Sequence, residues 1–459
     1  MLFSSLTFLL IFLPLCLLFY FIIPNIKYKN IILLLFSLVF YAWGEPVYIF
    51  LMLLSILITY IFGLLINKSK HKKTFLVLGI IFLLFNLLFF KYGNFIVDNI
   101  NYLFGLNIKS LNLPLPIGIS FYTFQALSYL IDLYRGKFKV QKNILNLALY
   151  ISLFPQLIAG PIVRYEQVER QINYREQTLE KVVEGSHRFI IGLSKKVILA
   201  NSMALICDTI YNQYYNYGTI ILWIAAITFM FQIFFDFSGY SDMAIGLGKI
   251  FGFEFLENFY YPYVAKSITE FWRRWHISLS SWFKDYIYIP LGGSRCSKLK
   301  NIRNIFIVWL LTGLWHGANW NYIIWGIYFG ILLLLEKFIF KDILEKTPNI
   351  IRHLVTIFFI LISWTIFKIE DINSLLIILK DMFIYKSSNI SLFIHTNSSL
   401  FFNFLFIIPC IYFSYEHKKL DINNSIKYNI INICYFILFI INIIFIIGSN
   451  YNPFIYFRF

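Results

Sequence analysis

Charge is what this chain has least of. Only 14% of its 459 residues are Asp, Glu, Lys or Arg, where soluble domains carry about 25%. With 59% hydrophobic residues and a mean hydropathy of +0.71, that deficit excludes the two or three soluble domains the length alone would suggest. Acidic residues are scarcer than basic ones, 23 against 39, for a formal net charge of +16. No basic arm or soluble module accompanies the excess, which argues against nucleic acid as a partner. The basic residues cluster at 68–73, at 295–303 and at Lys418-Lys419, the pattern expected of cytoplasmic loops between membrane helices. Cysteine is rare too: Cys16, Cys207, Cys296, Cys410 and Cys434 have no paired spacing that would build a disulfide framework or a metal site. No internal repeat and no Ser- or Gly-rich linker divides the chain, so one domain over residues 1–459 is the simplest partition. No basic residue precedes the first apolar run, which therefore reads as a retained transmembrane helix and not a cleaved signal peptide.

Apolar and aromatic residues are abundant, including 52 Phe and 32 Tyr, suited to a lipid-facing surface with aromatic belts. A spanning helix needs about 20 mostly apolar residues. Charge-free stretches occupy 1–26, 46–67, 110–131, 143–163, 209–235 and 428–457, with shorter ones at 30–44, 74–90 and 354–367. The expectation is an all-α polytopic membrane protein of about eleven spans. Three segments are too polar to span simply. Residues 164–196 suit a helix lying along the cytoplasmic interface. Residues 236–257 carry Asp236, Asp242 and four glycines, and residues 270–303 are rich in Trp, Arg and Tyr. Irregular or polar backbone at membrane depth must be buried in protein or line a cavity, so these segments are expected to line a site.

Residues 304–335 enclose Thr312-Gly313-Leu314-Trp315-His316-Gly317-Ala318-Asn319-Trp320-Asn321. As one helix the 32 residues would extend ~48 Å, beyond a hydrocarbon core of ~30 Å. Two complete spans would need about 40 residues. A break is expected at the Gly- and Asn-containing centre. His316 follows Arg303 by thirteen residues, ~20 Å along a helix, which sets it near mid-membrane. An ionisable residue at that depth is a functional candidate by default, although a buried histidine bonded to a neighbouring helix would look the same. Burial favours the neutral imidazole, the form that can act as a general base.

A second constellation runs from Ile268 to Tyr286. On a continuous helix Trp272, His276 and Leu279 would share one face. An amphipathic helix at headgroup level is the alternative reading. Arg273 and Arg274 could pair with an anionic donor such as a phosphate. Gly326-Ile327-Tyr328-Phe329-Gly330 fits a small-residue pattern for close helix packing.

Trp275-His276-Ile277-Ser278-Leu279-Ser280 followed by Gly313-Leu314-Trp315-His316-Gly317-Ala318 resembles the signature of membrane-bound O-acyltransferases. More narrowly, the chain resembles their bacterial alginate O-acetyltransferase branch. Supporting motifs are Pro116-Ile117-Gly118-Ile119-Ser120, Ala159-Gly160-Pro161, Asp236-Phe237-Ser238-Gly239-Tyr240 and Tyr288-Ile289-Pro290-Leu291-Gly292-Gly293. They run in order through a core of about 110–335. The resemblance implies a ring of tilted transmembrane helices, with re-entrant or interfacial helices, around a central tunnel. There a cytoplasmic donor funnel meets an outer acceptor cavity. It implies His316 as the catalytic residue and His276 as its partner. Trp272, Arg273, Arg274, Trp315, Asn319 and Asp236 are expected to contact substrate, with no metal. The implied donor is acetyl-CoA or another acyl thioester, with no tightly bound cofactor. The implied acceptor is an exported or cell-wall polysaccharide (alginate-like, cellulose or peptidoglycan), reached directly or through an extracytoplasmic partner protein. The expected location is a bacterial plasma membrane. D-alanyl transfer to teichoic acid on the same fold is the nearer alternative. A transporter or flippase is the more distant one, and it would call for broken helices in two matching halves.

Overall fold

The computed structural model describes residues 1–111, 114–158, 160–388, 390–417 and 425–448. The basic pair Lys418-Lys419, Ala159 of its motif and the end of the last apolar stretch lie outside them. The described residues form helices joined by turns, with no strand among them. Five helices long and apolar enough to cross a membrane come first: α1 (Ile26–Gly44), α2 (Ile49–Lys68), α3 (Lys72–Phe104), α4 (Leu179–Asn212) and α5 (Thr219–Ile250). Three shorter or more polar helices follow, α6 (Ile268–Arg274), α7 (Ile277–Phe283) and α8 (Lys298–His316). Then α9 (Trp320–Phe338), α10 (Asn349–Lys368) and α11 (Tyr428–Gly448) bring the span-length apolar helices among the described residues to eight. The apolar stretches at 110–131 and 143–163 form the shorter helices Ile119–Tyr134 and Ile144–Ser152.

The chain falls into two compact units, Met1–Phe189 with Tyr240–Leu256, and Ile190–Gly239 with Glu257–Phe459. Helices α4 and α5 run through both. Their continuity corrects two expectations. Residues 179–196 are not a separate helix but the start of span-length α4, and 236–250, expected to be too polar to span, complete span-length α5. Both belong to long helices whose charges are neutralised by one another. In the first unit Arg188 pairs with Asp242 at 2.6 Å and Lys249 with Glu184. In the second unit Lys196 pairs with Asp236 at 2.7 Å, both side chains 2% exposed. Glycines let the two backbones meet. A Cβ on Gly246 would stand 2.7 Å from Phe189 N in the first unit, and one on Gly239 2.7 Å from Gly192 O in the second. Only the stretch at 164–178 keeps a separate amphipathic helix, Tyr165–Asn173.

In the second unit α8 and α9 form a helical hairpin. The helices part at residues 317–319, with Gly317 in extended backbone, as the Gly-Ala-Asn sequence predicts. Each helix has 19 residues, ~28 Å in length. The apolar stretch alone would not supply two such helices. The polar ends 298–303 and 336–338 continue them, because basic side chains extend beyond apolar surface without breaking a helix. Gly313 and Gly326 sit at the crossing. A Cβ on Gly313 would lie 3.2 Å from Gly326 Cα, and one on Gly330 3.4 Å from Trp309 Cβ, so the small-residue pattern does mark a close helix contact.

Candidate active site

The site is assembled within the second unit from α6, α7 and the α8–α9 hairpin. Helix α6 starts where Ser267 Oγ accepts the Glu270 amide at 3.0 Å. Glu336, on α9, accepts the amides of Ile268 and Thr269 at 2.7 and 3.1 Å. These caps satisfy donors a helix start leaves open and tie α6 to the hairpin. Helix α6 ends at Arg274, and His276 adopts the left-handed region, φ 42° and ψ 55°. The segment before α6 runs alongside this break: Tyr260 N donates to Arg274 O and Ile277 N to Asn258 O, both at 2.9 Å. Trp272, His276 and Leu279 therefore do not share a continuous helix face. The backbone bonds that would continue the helix are exchanged with residues 258–260 instead. A non-glycine residue with positive φ is uncommon and recurs at functional sites.

His276 is 1% exposed. Its Nδ1 lies 3.1 Å from Asn258 Oδ1, an oxygen that also accepts from Ser278 N at 3.2 Å and Ser278 Oγ at 2.9 Å. Its Nε2 is buried without a hydrogen-bond partner. The Phe237 ring meets it edge-on at 4.5 Å. Burial pushes the imidazole down to about 3, so it is neutral at physiological pH.

His316 closes α8 and is 3% exposed. Trp325 and Phe367 meet its ring edge-on at 4.9 and 5.1 Å. Trp315 packs against His316 at 4.9 Å and against His276 at 5.8 Å, so both imidazoles share one indole. Asn321 donates to Phe367 O at 3.0 Å, which fixes the end of α10 against the start of α9. Trp272 extends the aromatic cluster, 5.6 Å from Trp325 and 4.6 Å from Trp309.

Trp309 also forms part of the wall of a pocket of about 670 Å³, within the range of small-molecule sites. Arg273, Lys284, Lys337, Lys341 and Arg352 line it, against two carboxylates, Glu336 and Glu345. Glu336 is engaged by the α6 amides, and cations outnumber carboxylates among the charged residues of the lining. The predicted substrate contacts separate at this point. Trp272 and Trp315 lie in the ring cluster and Arg273 in the pocket. Arg274 is turned away, held by Glu270 at 3.0 Å and over the Tyr260 ring at 5.4 Å. Asp236 is engaged by Lys196, although the next residue, Phe237, packs on His276. Asn319 caps α9 without a side-chain cap bond.

Residues 138–379 match the MBOAT, membrane-bound O-acyltransferase, family, a stretch that contains both histidines. The chain belongs to the membrane-bound O-acyltransferase family. It is a multi-pass membrane enzyme of the acyltransferase class. This O-acyltransferase is 43% identical over 381 residues to a Pseudomonas aeruginosa protein named probable alginate O-acetylase, covering 81% of this chain and 73% of that one. It is 37% identical over 425 residues to a peptidoglycan O-acetyltransferase of Helicobacter pylori, covering 83% and 80%. A teichoic acid D-alanyltransferase of Bacillus subtilis is 32% identical over 250 residues, covering 50% and 61%.

Several groups at the site were not singled out from the O-acyltransferase sequence. Asn258 is fully buried and has no motif around it. Trp325 and Phe367 look like ordinary core positions. Lys337, Lys341 and Arg352 fall at helix ends, where basic residues are common, and only folding gathers them at one pocket.

Proposed function

We propose that this protein is a bacterial plasma-membrane O-acetyltransferase. It moves an acetyl group from a cytoplasmic thioester, acetyl-CoA or a carrier-bound equivalent, to hydroxyls of an exported polysaccharide such as an alginate-like polymer or peptidoglycan. The observation that carries this reading is two buried imidazoles packed on Trp315, beside aromatic rings that continue to a cationic pocket. The pocket suits the phosphates of a donor. The thioester supplies its own activation, so no tightly bound cofactor is called for. His316 removes the proton of the acceptor hydroxyl as its oxygen attacks the thioester carbonyl. The tetrahedral intermediate expels the thiolate, which recovers that proton. One C–S bond breaks, one C–O bond forms, and no net proton is released. General-base help contributes about 10²–10⁴-fold, so positioning and electrostatics must supply the rest. The lengths and identities of the relatives favour acetyl transfer to polysaccharide over D-alanyl transfer. A separate extracytoplasmic protein that completes transfer would account for reaching a polymer outside the cell.

The test is His316→Ala in the producing cell. The variant is expected to insert and fold as the wild type does, while acetyl groups on the exported polymer fall by at least about 10²-fold. Normal acetyl content in that variant would reject the assignment. Alanyl esters in place of acetyl esters would favour the D-alanyl alternative.

A further inference from the structure

We infer that Asn258 is a positioning residue that holds His276 as the Nδ1–H tautomer, so that Nε2 offers a lone pair to a hydroxyl or amide hydrogen of the reactants. The chemistry of the contacts leaves little freedom. A backbone amide can only donate, and Ser278 N points at one terminal atom of Asn258 from 3.2 Å. That atom must be the oxygen, whichever way an amide might otherwise be drawn. The Ser278 hydroxyl lies 2.9 Å from the same atom and 3.5 Å from His276 Nδ1, and it donates to the nearer oxygen. An amide oxygen has no proton to give, so His276 Nδ1 at 3.1 Å is the donor. A neutral imidazole carries one N–H, and Nε2 is therefore bare.

The backbone reinforces the arrangement. The bond from Ile277 N to Asn258 O and the left-handed conformation of His276 keep the two side chains in register. On the other sides of the ring stand Phe237, Phe259 and Trp315, which carry no charge and do not compete for the proton. His316 lies beyond Trp315. A buried acceptor without a partner is costly to maintain, and Nε2 is one. A polar hydrogen of the bound donor or acceptor would satisfy it. The same geometry means that neutral His276 does not donate to the developing oxyanion, a role that needs an N–H. The identity of the reactants rests on the proposed acyl transfer, whereas the tautomer does not.

The test uses the full chain in lipid nanodiscs with ¹⁵N-labelled histidine, the His276 signals being assigned by their loss in His276→Gln. At pH 7 the expected spectrum has a protonated Nδ1 and an unprotonated Nε2 at residue 276. Asn258→Ala should mix the tautomers and lower kcat by about 10–100-fold. Asn258→Asp, which keeps an acceptor in place, should retain the tautomer and recover part of the rate. A protonated Nε2 in the wild type, or an unchanged tautomer in Asn258→Ala, would overturn the inference. If Asn258→Ala does not fold, Asn258→Asp decides: loss of the Nδ1–H tautomer there would refute the inference. A protein with the expected tautomer but no acyl transfer would support the inference and count against the proposed function alone.

Discussion

His276 is neutral because burial opposes its charge, and this has a consequence for stability. An imidazole in an unfolded chain titrates near pH ~6.5, while the folded one is held down to about 3. Between those values the unfolded chain binds the additional proton. The stability that depends on neutral His276 is therefore complete above about pH 6.5 and is lost as the pH falls towards 3. At pH ~5 the loss is about 2 kcal/mol, and it depends only on the unfolded value because the folded one lies well below. Thermal melts of the detergent-purified protein at neutral and mildly acidic pH should show a smaller acid-induced drop for His276→Gln than for wild type. An equal drop in both would show that His276 is not the group responsible. The sequence marks His276 by its motif, but not its break in the helix, because the bonds that stop the helix come from residues 258–260.

At the scale of elements, the α4–α5 pair shows how a charged segment becomes a long buried helix. The Lys196–Asp236 pair has both side chains 2% exposed, and Lys196 Nζ also donates to Asn201 at 3.1 Å. Removing one member of such a pair leaves a buried charge and costs about 3–5 kcal/mol, whereas replacing both by apolar groups is often neutral. Asp236→Ala should accordingly reduce folded yield and melting temperature sharply, and Lys196→Met with Asp236→Leu should restore most of both. A double variant as unstable as the single one would contradict this. Hydropathy could not read these spans: Lys196 and Asp236 look prohibitive one at a time, and their mutual neutralisation spans forty residues of sequence. The α8–α9 hairpin was more legible. Gly317 and its neighbours announce the break locally, and Gly313 and Gly326 bring the two backbones close.

For the molecule as a whole, the basic loops predict an orientation in the membrane. The loop containing Cys296 belongs to the basic stretch 295–303 and should face the cytoplasm. Cys16, Cys207 and Cys410 are buried, Cys296 is half-buried, and Cys434 is exposed on α11, a span-length apolar helix. A membrane-impermeant maleimide should therefore label the protein at Cys296 in inside-out vesicles and leave it unlabelled in intact cells. Labelling at Cys296 from outside would reverse the assigned orientation.

The sequence by itself determined the solvent, the helical class and the family, since these follow from hydropathy summed over long windows and from short contiguous motifs. It also placed His276 and His316 as the residues to examine. Tertiary structure decided which partners those residues have. Asn258 against His276, Phe367 against His316, and the cations of the 670 Å³ pocket come from separate elements. Arg273 and Arg274, adjacent in sequence, are sent to different neighbours by one step of helix rotation. Periodicity and motif report what a residue is and which way its own element turns. Hydrogen bonds and ring contacts between distant elements depend on where the other element comes to rest.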